Sequence, residues 1–211
     1  MALGAIAEQL GVSKASVSLW VRDVELTPGQ QEELAARNPA RNGQLLGMQV
    51  RRERCRDERL AAQRHGRELA RRPNSDFLAG CMLHWAEGSK SRNAVQLGNS
   101  DPELLRTFLG FLRTSYAVSD DRVAFSVDCF LGNGLGLDEI ETWLLTRLEL
   151  PASCLRKAVV NRPSSASKLR KGNVLPYGTA RLAVHSTFIV QSIYGAIQEY
   201  AGFDRPEWLD L

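Results

Sequence analysis

The apolar positions at the start of the chain recur at helical spacing. In residues 2–10, four apolar side chains lie three or four positions apart and would form one helix face: Leu3, Ile6, Ala7 and Leu10. Gly11 and Val12 interrupt this pattern, and Ser13 is a suitable N-cap for a second helix over residues 14–23. The inward positions of that helix would be Val17, Trp20 and Val21. The pattern thus predicts two short helices joined by a tight turn.

Two further helical segments are predicted before residue 75. Residues 27–38 begin with Thr27 and Pro28, a favourable helix start, and would complete the small core. Residues 39–47 form the first expected hinge. Residues 48–72 contain good helix formers but too few apolar positions for a buried stripe, so we expect an exposed or bridging helix there.

The second half of the chain alternates irregularly between helical and strand patterns. Alternating apolar positions predict strands, and apolar faces at helical spacing predict helices. The predicted strands are 94–100, 123–130, 154–160 and 179–185, and the predicted helices begin at residues 77, 102, 137 and 186. The chain offers too few residues for a βαβ series, so the predicted class is α+β.

The charges are unevenly distributed along the chain. Net charge is only +3, yet residues 41–72 hold ten arginines against four acids, a local balance of 10 − 4 = +6. A segregated basic stripe is typical of polyanion binding, and a solvated spacer helix is the alternative interpretation. Residues 156–171 add six bases and no acid, which indicates either a second phosphate-binding segment or a solvent loop.

Composition excludes several classes of protein. No apolar run is long enough to span a membrane, and the first residues lack the bases of a signal peptide, so we expect a soluble cytoplasmic, nucleoid-associated protein. The four cysteines and three histidines are scattered, which argues against a zinc site or a disulfide framework. The glycines of residues 131–137 are spaced as in a turn and not as in a dinucleotide-binding loop.

The first two predicted helices carry a known motif. The segment AEQLGVSKASVSLW resembles the helix-turn-helix of bacterial transcription factors and resolvase-type domains, with its glycine and Val-Ser in the expected positions. A plain helical hairpin is the alternative, and the helix that usually precedes these two is missing. The resemblance implies that the second helix enters the major groove and directs these residues to DNA: Ser13, Lys14, Ser16, Ser18 and Arg22.

The segment FLAG…EGSKS resembles the LAGLIDADG homing-endonuclease domain, over about residues 75–203. The resemblance implies an antiparallel, saddle-shaped sheet over the duplex and two motif helices packed face to face. Because one copy of the motif is present, it implies a homodimer on pseudo-palindromic double-stranded DNA. It also implies that Glu87 is a ligand of Mg²⁺ and the catalytic carboxylate of a nuclease.

Small residues on the motif helix suit close packing against a second helix. We therefore predict a dimer interface made by Leu78, Ala79, Gly80, Cys81 and Leu83. Burial of Gly80 within its own chain would contradict that interface and the dimeric arrangement that depends on it. The motif also departs from the family: two extra residues separate LAG from EG, which moves Gly80 and Cys81 out of their expected slots, and Trp85 stands where an acid is common.

These departures favour a DNA-binding regulator with a degenerate nuclease domain, and an active Mg²⁺-dependent endonuclease is the alternative. The predicted domains are a helix-turn-helix (1–38), an arginine-rich linker (39–74), the LAGLIDADG-like domain (75–205) and a tail (206–211). Further predicted DNA contacts are the basic residues Arg51, Arg52, Lys90, Arg92, Arg156, Lys157, Arg162, Lys168, Arg170 and Lys171.

Overall fold

The structure is a computed structural model that describes residues 3–36, 39–131, 134–161 and 175–210. The chain forms two compact units, Met1–Arg52 and Glu53–Leu211, called here the N-terminal and C-terminal units. Their boundary falls inside the predicted arginine-rich linker. None of the helices in these ranges has the length and apolar character needed to cross a bilayer.

The N-terminal unit contains α1 (Leu3–Leu10), α2 (Lys14–Trp20), α3 (Pro28–Ala36) and the first part of α4 (Pro39–Ala70). Ser13 caps α2 as predicted, because its side chain accepts a hydrogen bond from the backbone N–H of Ser16 at 3.1 Å. Gly11 turns the chain with φ of 65°, a conformation that favours glycine. Two short helices joined by a tight turn are therefore confirmed.

The predicted core of this unit is only partly formed. Ala7 and Val17 are buried as predicted, whereas Leu10 and Trp20 are 58% and 62% exposed. The described side chains of α3 are exposed. Leu34 and Ala35, apolar residues through which the segment 27–38 would complete the core, lie outside the described side chains, so that expectation stays a prediction.

The C-terminal unit has an α+β fold, as predicted. After the second part of α4, its elements are α5 (Ser75–Glu87), β1 (Val95–Asn99), α6 (Pro102–Tyr116), β2 (Val123–Phe130), α7 (Leu137–Leu148), β3 (Val159–Asn161), β4 (Thr179–Val184) and α8 (Thr187–Ala201). Short 3₁₀ turns occupy 120–122, 152–154 and 206–209.

The four strands form one sheet in the order β1-β4-β2-β3. β4 pairs antiparallel with both β1 and β2, whereas β3 pairs parallel with β2. The sheet is therefore mixed, and the prediction of an entirely antiparallel sheet is wrong for the β2–β3 pair. β3 is reached from β2 only after α7, which allows it to return in the same direction.

One face of the sheet is buried under helices. Val123, Phe125, Val127 and Cys129 of β2 alternate with half-exposed residues, as a strand with one covered face requires. The Asp101 side chain caps α6, which buries five apolar residues, and α5 packs against α6 and α8. The core of the unit thus lies between the sheet and these helices.

α4 and α8 approach each other at backbone distance. A Cβ on Gly66 would overlap the carbonyl oxygen of Ser192 and lie 2.6 Å from its carbonyl carbon. A Cβ on Gly195 would in turn overlap the carbonyl oxygen of Gln63. Ala62, Gln63 and Ala70 are buried there. The prediction of an exposed or bridging helix is therefore wrong for this part of α4, because its small residues, not large apolar ones, make the contact.

The C-terminal residues that were predicted as a tail pack on the same unit. Trp208 and Leu209 are only 3% and 4% exposed, and the Trp208 ring lies 4.8 Å from that of Tyr194. The Gln191 amide donates to the carbonyl oxygen of Trp208 at 3.1 Å. The segment 206–209 is therefore part of the folded unit.

Candidate nucleic-acid interface

Among the described residues, no helix of the C-terminal unit covers the second face of the sheet. Its side chains alternate with the buried ones and are half-exposed or exposed: Gln96, Ala124, Ser126, Asp128, Phe130, Val159, Asn161, Thr179, Arg181 and Ala183. We call this surface the open face. Gly98, Arg181 and Ser126 are register partners across its three longest strands.

The polar side chains of the open face are of the types that read base edges. Gln, Asn, Ser, Thr and Arg hydrogen-bond bases in DNA grooves, and a sheet face can present them to a groove. Arg181 is exposed, and no ion pair holds it among the described residues. Asp128 accepts a hydrogen bond from the Asn161 amide at 2.8 Å, which turns its carboxylate toward a neighbour in the sheet.

Sequence reasoning missed the open face as a set of residues. The alternation in β2 and β4 gives two faces for each strand, but the strand order and register decide which side chains become neighbours. Arg181 carried a usable signal, since it is the one charged residue within the alternating segment TARLAV.

The residues in and beside α2 that were predicted to contact DNA fall into two groups, according to whether their side chains form hydrogen bonds within the unit. Lys14, Ser18 and Arg22 are exposed and their side chains have no partner among the residues described. Ser13 and Ser16 instead bond each other, with their hydroxyl oxygens 2.9 Å apart, as part of the N-cap. Lys14 and Ser18 are one turn apart on a single helix face, and Arg22 follows the end of α2.

Glu87 lies at the exposed C-terminal end of α5. Its carboxylate accepts one long hydrogen bond, 3.4 Å from the Asn99 amide. Within the described ranges, no group of three or more His, Cys, Asp and Glu side chains is placed to hold a metal ion. Mg²⁺ is usually held by one or two carboxylates together with phosphate oxygens, so Glu87 alone fits only as one donor of a site completed by other groups.

Lys90 was predicted to bind DNA, but its ammonium closes the end of α5. Its Nζ donates to the carbonyl oxygens of Trp85 and Gly88, at 2.8 and 3.0 Å. A cation at this position satisfies carbonyls that have no helical partner and suits the helix dipole. Partial burial lowers the pKa of Lys90 from its ordinary value.

His84 is enclosed directly behind this helix end. It is 0% exposed, it stacks on Phe108, and neither ring nitrogen has a hydrogen-bond partner among the described atoms. Burial, and secondarily the charge of Lys90, lowers the pKa of His84 to about 4. The imidazole is therefore neutral at ordinary pH and acts as a packing group.

The predicted dimer interface needs correction at two of its five residues. Gly80 and Cys81 are buried, and a Cβ on Gly80 would overlap the ring of Phe111 on α6. Neither residue can contact a second copy, so their predicted role is wrong. Both residues lie on the inward face of α5, where Gly80 packs against Phe111.

The outward face of α5 carries other small and apolar residues. Leu78 is 39% exposed, Ala79 and Ala86 are exposed, and Met82 and Leu83 are half-buried. Leu78, Met82 and Ala86 follow one another at a spacing of four, so they share one side of the helix. A second helix could reach α5 only on this side.

Three arginines of α4, together with Arg71 just after it, are paired with acids of the C-terminal unit. Arg56 and Arg59 bond Asp210 at 2.8 and 3.1 Å, Arg67 pairs with Asp204, and Arg71 bonds Glu199 at 2.8 Å. The interpretation of residues 41–72 as a free basic stripe is therefore wrong for these four residues. The acids that neutralise them lie more than 125 positions away in the sequence, so a local charge count misses them.

The remaining predicted contacts have mixed positions. Arg51 and Arg52 are exposed, as is Lys157, whereas Arg92 is half-buried. The Arg156 guanidinium donates to the carbonyl oxygens of residues 153–155 at 2.9–3.2 Å, which gives it a structural role. Four predicted contacts lie outside the described residues: Arg162, Lys168, Arg170 and Lys171.

Comparison of the chain with protein-family models, with curated proteins and with solved structures gave no match. The function is therefore argued from the residues and their geometry.

Proposed function

We propose that this protein binds double-stranded DNA with sequence specificity and acts as a transcriptional regulator. The observation that carries the proposal is the open face, where hydrogen-bonding side chains and the exposed Arg181 lie on an uncovered four-stranded sheet. Such side chains match the donor and acceptor pattern of base edges in a groove.

Two other features support the same partner. Lys14, Ser18 and Arg22 give α2 a polar, exposed surface next to the tight turn, as a helix that enters the major groove requires. By sequence, residues 162–174, which join β3 to β4, contain four bases and no acid. Bases of this segment would bind phosphates while the open face contacts base edges.

The proposed regulator is a homodimer that binds pseudo-palindromic DNA. The contact is proposed on the outward side of α5, through Leu78, Ala79, Met82 and Ala86, and it does not involve Gly80 or Cys81. Small residues at 79 and 86 would allow a second helix to approach closely. A two-fold axis through that contact would present two open faces to two half-sites.

Selection of bound duplexes from random genomic fragments tests this function. The full chain is expected to enrich one short motif with approximate two-fold symmetry, and Arg181→Gln is expected to lower the enrichment. Arg106→Gln is the matched control, because Arg106 is exposed on α6, on the covered side of the sheet. Fragments recovered without any shared motif would refute sequence-specific binding.

A second candidate function is Mg²⁺-dependent DNA cleavage. It is favoured by one observation, the exposed Glu87 carboxylate at the end of α5. The selected duplex would be incubated with the protein and Mg²⁺, and nicking would be compared with Glu87→Gln. Cleavage that disappears in the variant would support a nuclease, and intact DNA at saturating protein would leave the regulator as the function.

A further inference from the structure

The N-terminal unit leaves most of its large apolar side chains in solvent. Nine of them are between 42% and 68% exposed: Leu10, Leu19, Trp20, Val24, Leu26, Leu45, Leu46, Met48 and Val50. Among the described residues of this unit, only Ala7 and Val17 are buried. A unit of about 50 residues needs most of its apolar surface buried to remain folded, so these side chains call for a covering partner.

These residues belong to two segments of the chain. The first segment, which we name the acidic surface, comprises residues 10–36 and carries five of them: Leu10, Leu19, Trp20, Val24 and Leu26. The second, which we name the basic surface, is the first part of α4 and carries Leu45, Leu46, Met48 and Val50. Both surfaces are exposed in the same chain, so neither covers the other.

The two surfaces have opposite charge. Residues 10–36 contain four acids and two bases, a balance of 2 − 4 = −2, and residues 39–52 contain three arginines and no acid, a balance of +3. Asp23, Glu25 and Glu32 are exposed beside the first apolar set, and Arg51 and Arg52 are exposed beside the second. None of these five side chains has a partner among the described residues. The acidic surface of one copy is therefore complementary in charge to the basic surface of another copy.

The exposed area fits a stable dimer. Complete burial of a Leu or Val side chain contributes roughly 1.5–3 kcal/mol. At about 25 cal/mol/Å², this energy corresponds to about 60–120 Å² of apolar surface removed from water. Nine side chains that are a little over half exposed then offer about 500 Å². A standard interface buries about 800 Å² on each partner, of which roughly 60% is apolar, so it also requires about 500 Å².

We propose that the N-terminal units of two copies pair reciprocally, the acidic surface of each covering the basic surface of the other. A two-fold axis makes both contacts identical, so both apolar surfaces of both copies are buried in one closed assembly. This assigns Arg51 and Arg52 to carboxylates of the second copy and not to DNA. The pairing does not depend on the open face of the sheet or on the contact through α5.

A charge-exchange experiment with full-length chains tests this pairing. The first variant, Glu25→Lys/Glu32→Lys, has two basic surfaces, and the second, Arg51→Glu/Arg52→Glu, has two acidic surfaces. Each variant opposes like charges in both contacts of its own homodimer. A mixed dimer restores opposite charges in both contacts. Native mass spectrometry of an equimolar mixture measures the proportions, with an isotopically labelled wild-type pair as the control.

The wild-type pair is expected to give the statistical proportions of homodimers and mixed dimers. The two variants are expected to raise the ratio of mixed dimer to homodimers about tenfold or more above that value, since several charge pairs change sign together. Statistical proportions in the variant mixture would overturn the proposal, even if the chain still dimerised through α5. Monomers throughout, with unchanged circular dichroism, would overturn it as well.

Discussion

The close packing of α4 against α8 predicts opposite effects on stability for two glycine-to-alanine substitutions. Gly66→Ala would place a methyl group against the carbonyl of Ser192, 2.6 Å from its carbon and 3.0 Å from the backbone nitrogen of Ala196. Ordinary contacts of this kind exceed 3.4 Å, and backbone atoms cannot rotate away as a side-chain end can. The helices would have to separate by roughly 1 Å and loosen the neighbouring Gln63–Gln191 hydrogen bond of 2.8 Å.

The expected magnitude follows from two opposing effects. Overpacking typically costs about 1–3 kcal/mol, and a backbone clash belongs at the upper end of that range. Alanine in place of glycine within a helix raises the free energy of unfolding by about 1 kcal/mol, because its helix propensity is higher. We therefore expect Gly66→Ala to lower the free energy of unfolding by about 2 kcal/mol, or the melting temperature by roughly 4–8 °C.

Gly110→Ala is the matched control for this prediction. Gly110 lies within α6, and a Cβ there would meet no atom within 4 Å, so the propensity gain should appear alone. Urea unfolding followed by circular dichroism is expected to show a stabilisation of about 0.5–1 kcal/mol for Gly110→Ala. If Gly66→Ala were equally stabilising, α4 would not be packed against α8 and the reasoning would be refuted.

Four other substitutions test separate parts of the C-terminal unit. The lowered pKa of His84 keeps its ring neutral in the fold, while the unfolded chain binds a proton below its ordinary value of 6.5. Stability should therefore fall by roughly 2 kcal/mol from about pH 7.5 to about pH 5, and His84→Leu should flatten that dependence in urea titrations. Asp210→Asn should lower the free energy of unfolding by about 1–3 kcal/mol, because it leaves the buried Arg59 without a counter-charge. Arg59→Met should leave the free energy of unfolding nearly unchanged, since Arg56 still bonds Asp210. Equal losses of stability in calorimetry would contradict this. Tyr194→Phe should lower the free energy of unfolding by about 1–3 kcal/mol, because the Tyr194 hydroxyl accepts from the backbone N–H of Ser91 and donates to its carbonyl oxygen, each at 3.0 Å. An unchanged melting temperature would refute that role.

Features determined by neighbouring residues could be read from the sequence. A helix beginning at residue 102 and a strand over residues 123–130 were predicted from local patterns, and α6 and β2 confirm both. Ser13 as the cap of α2 was equally visible. In each case the capping or alternation signal lies within a few residues of the element that it defines.

Features determined by distant residues could not be read in this way. The parallel pairing of β3 with β2 depends on where α7 returns the chain. Arg59, Arg67 and Arg71 find their carboxylates in the last 15 residues of the chain. Gly80 lies on the face of α5 that packs against Phe111, and this tertiary contact is made with a residue of α6. Motif matching placed Gly80 on the opposite, outward face.

The most direct test of the account is the ratio of specific to non-specific affinity for DNA. Fluorescence anisotropy would measure both affinities for the selected duplex and a scrambled one, from about 50 to 200 mM salt, where phosphate contacts weaken strongly. The account predicts that Arg181→Gln lowers this ratio about tenfold, as expected when a residue that reads a base is removed, and that Arg106→Gln leaves it unchanged. A wild-type ratio near one, or an identical ratio in both variants, would contradict DNA recognition by the open face of the sheet.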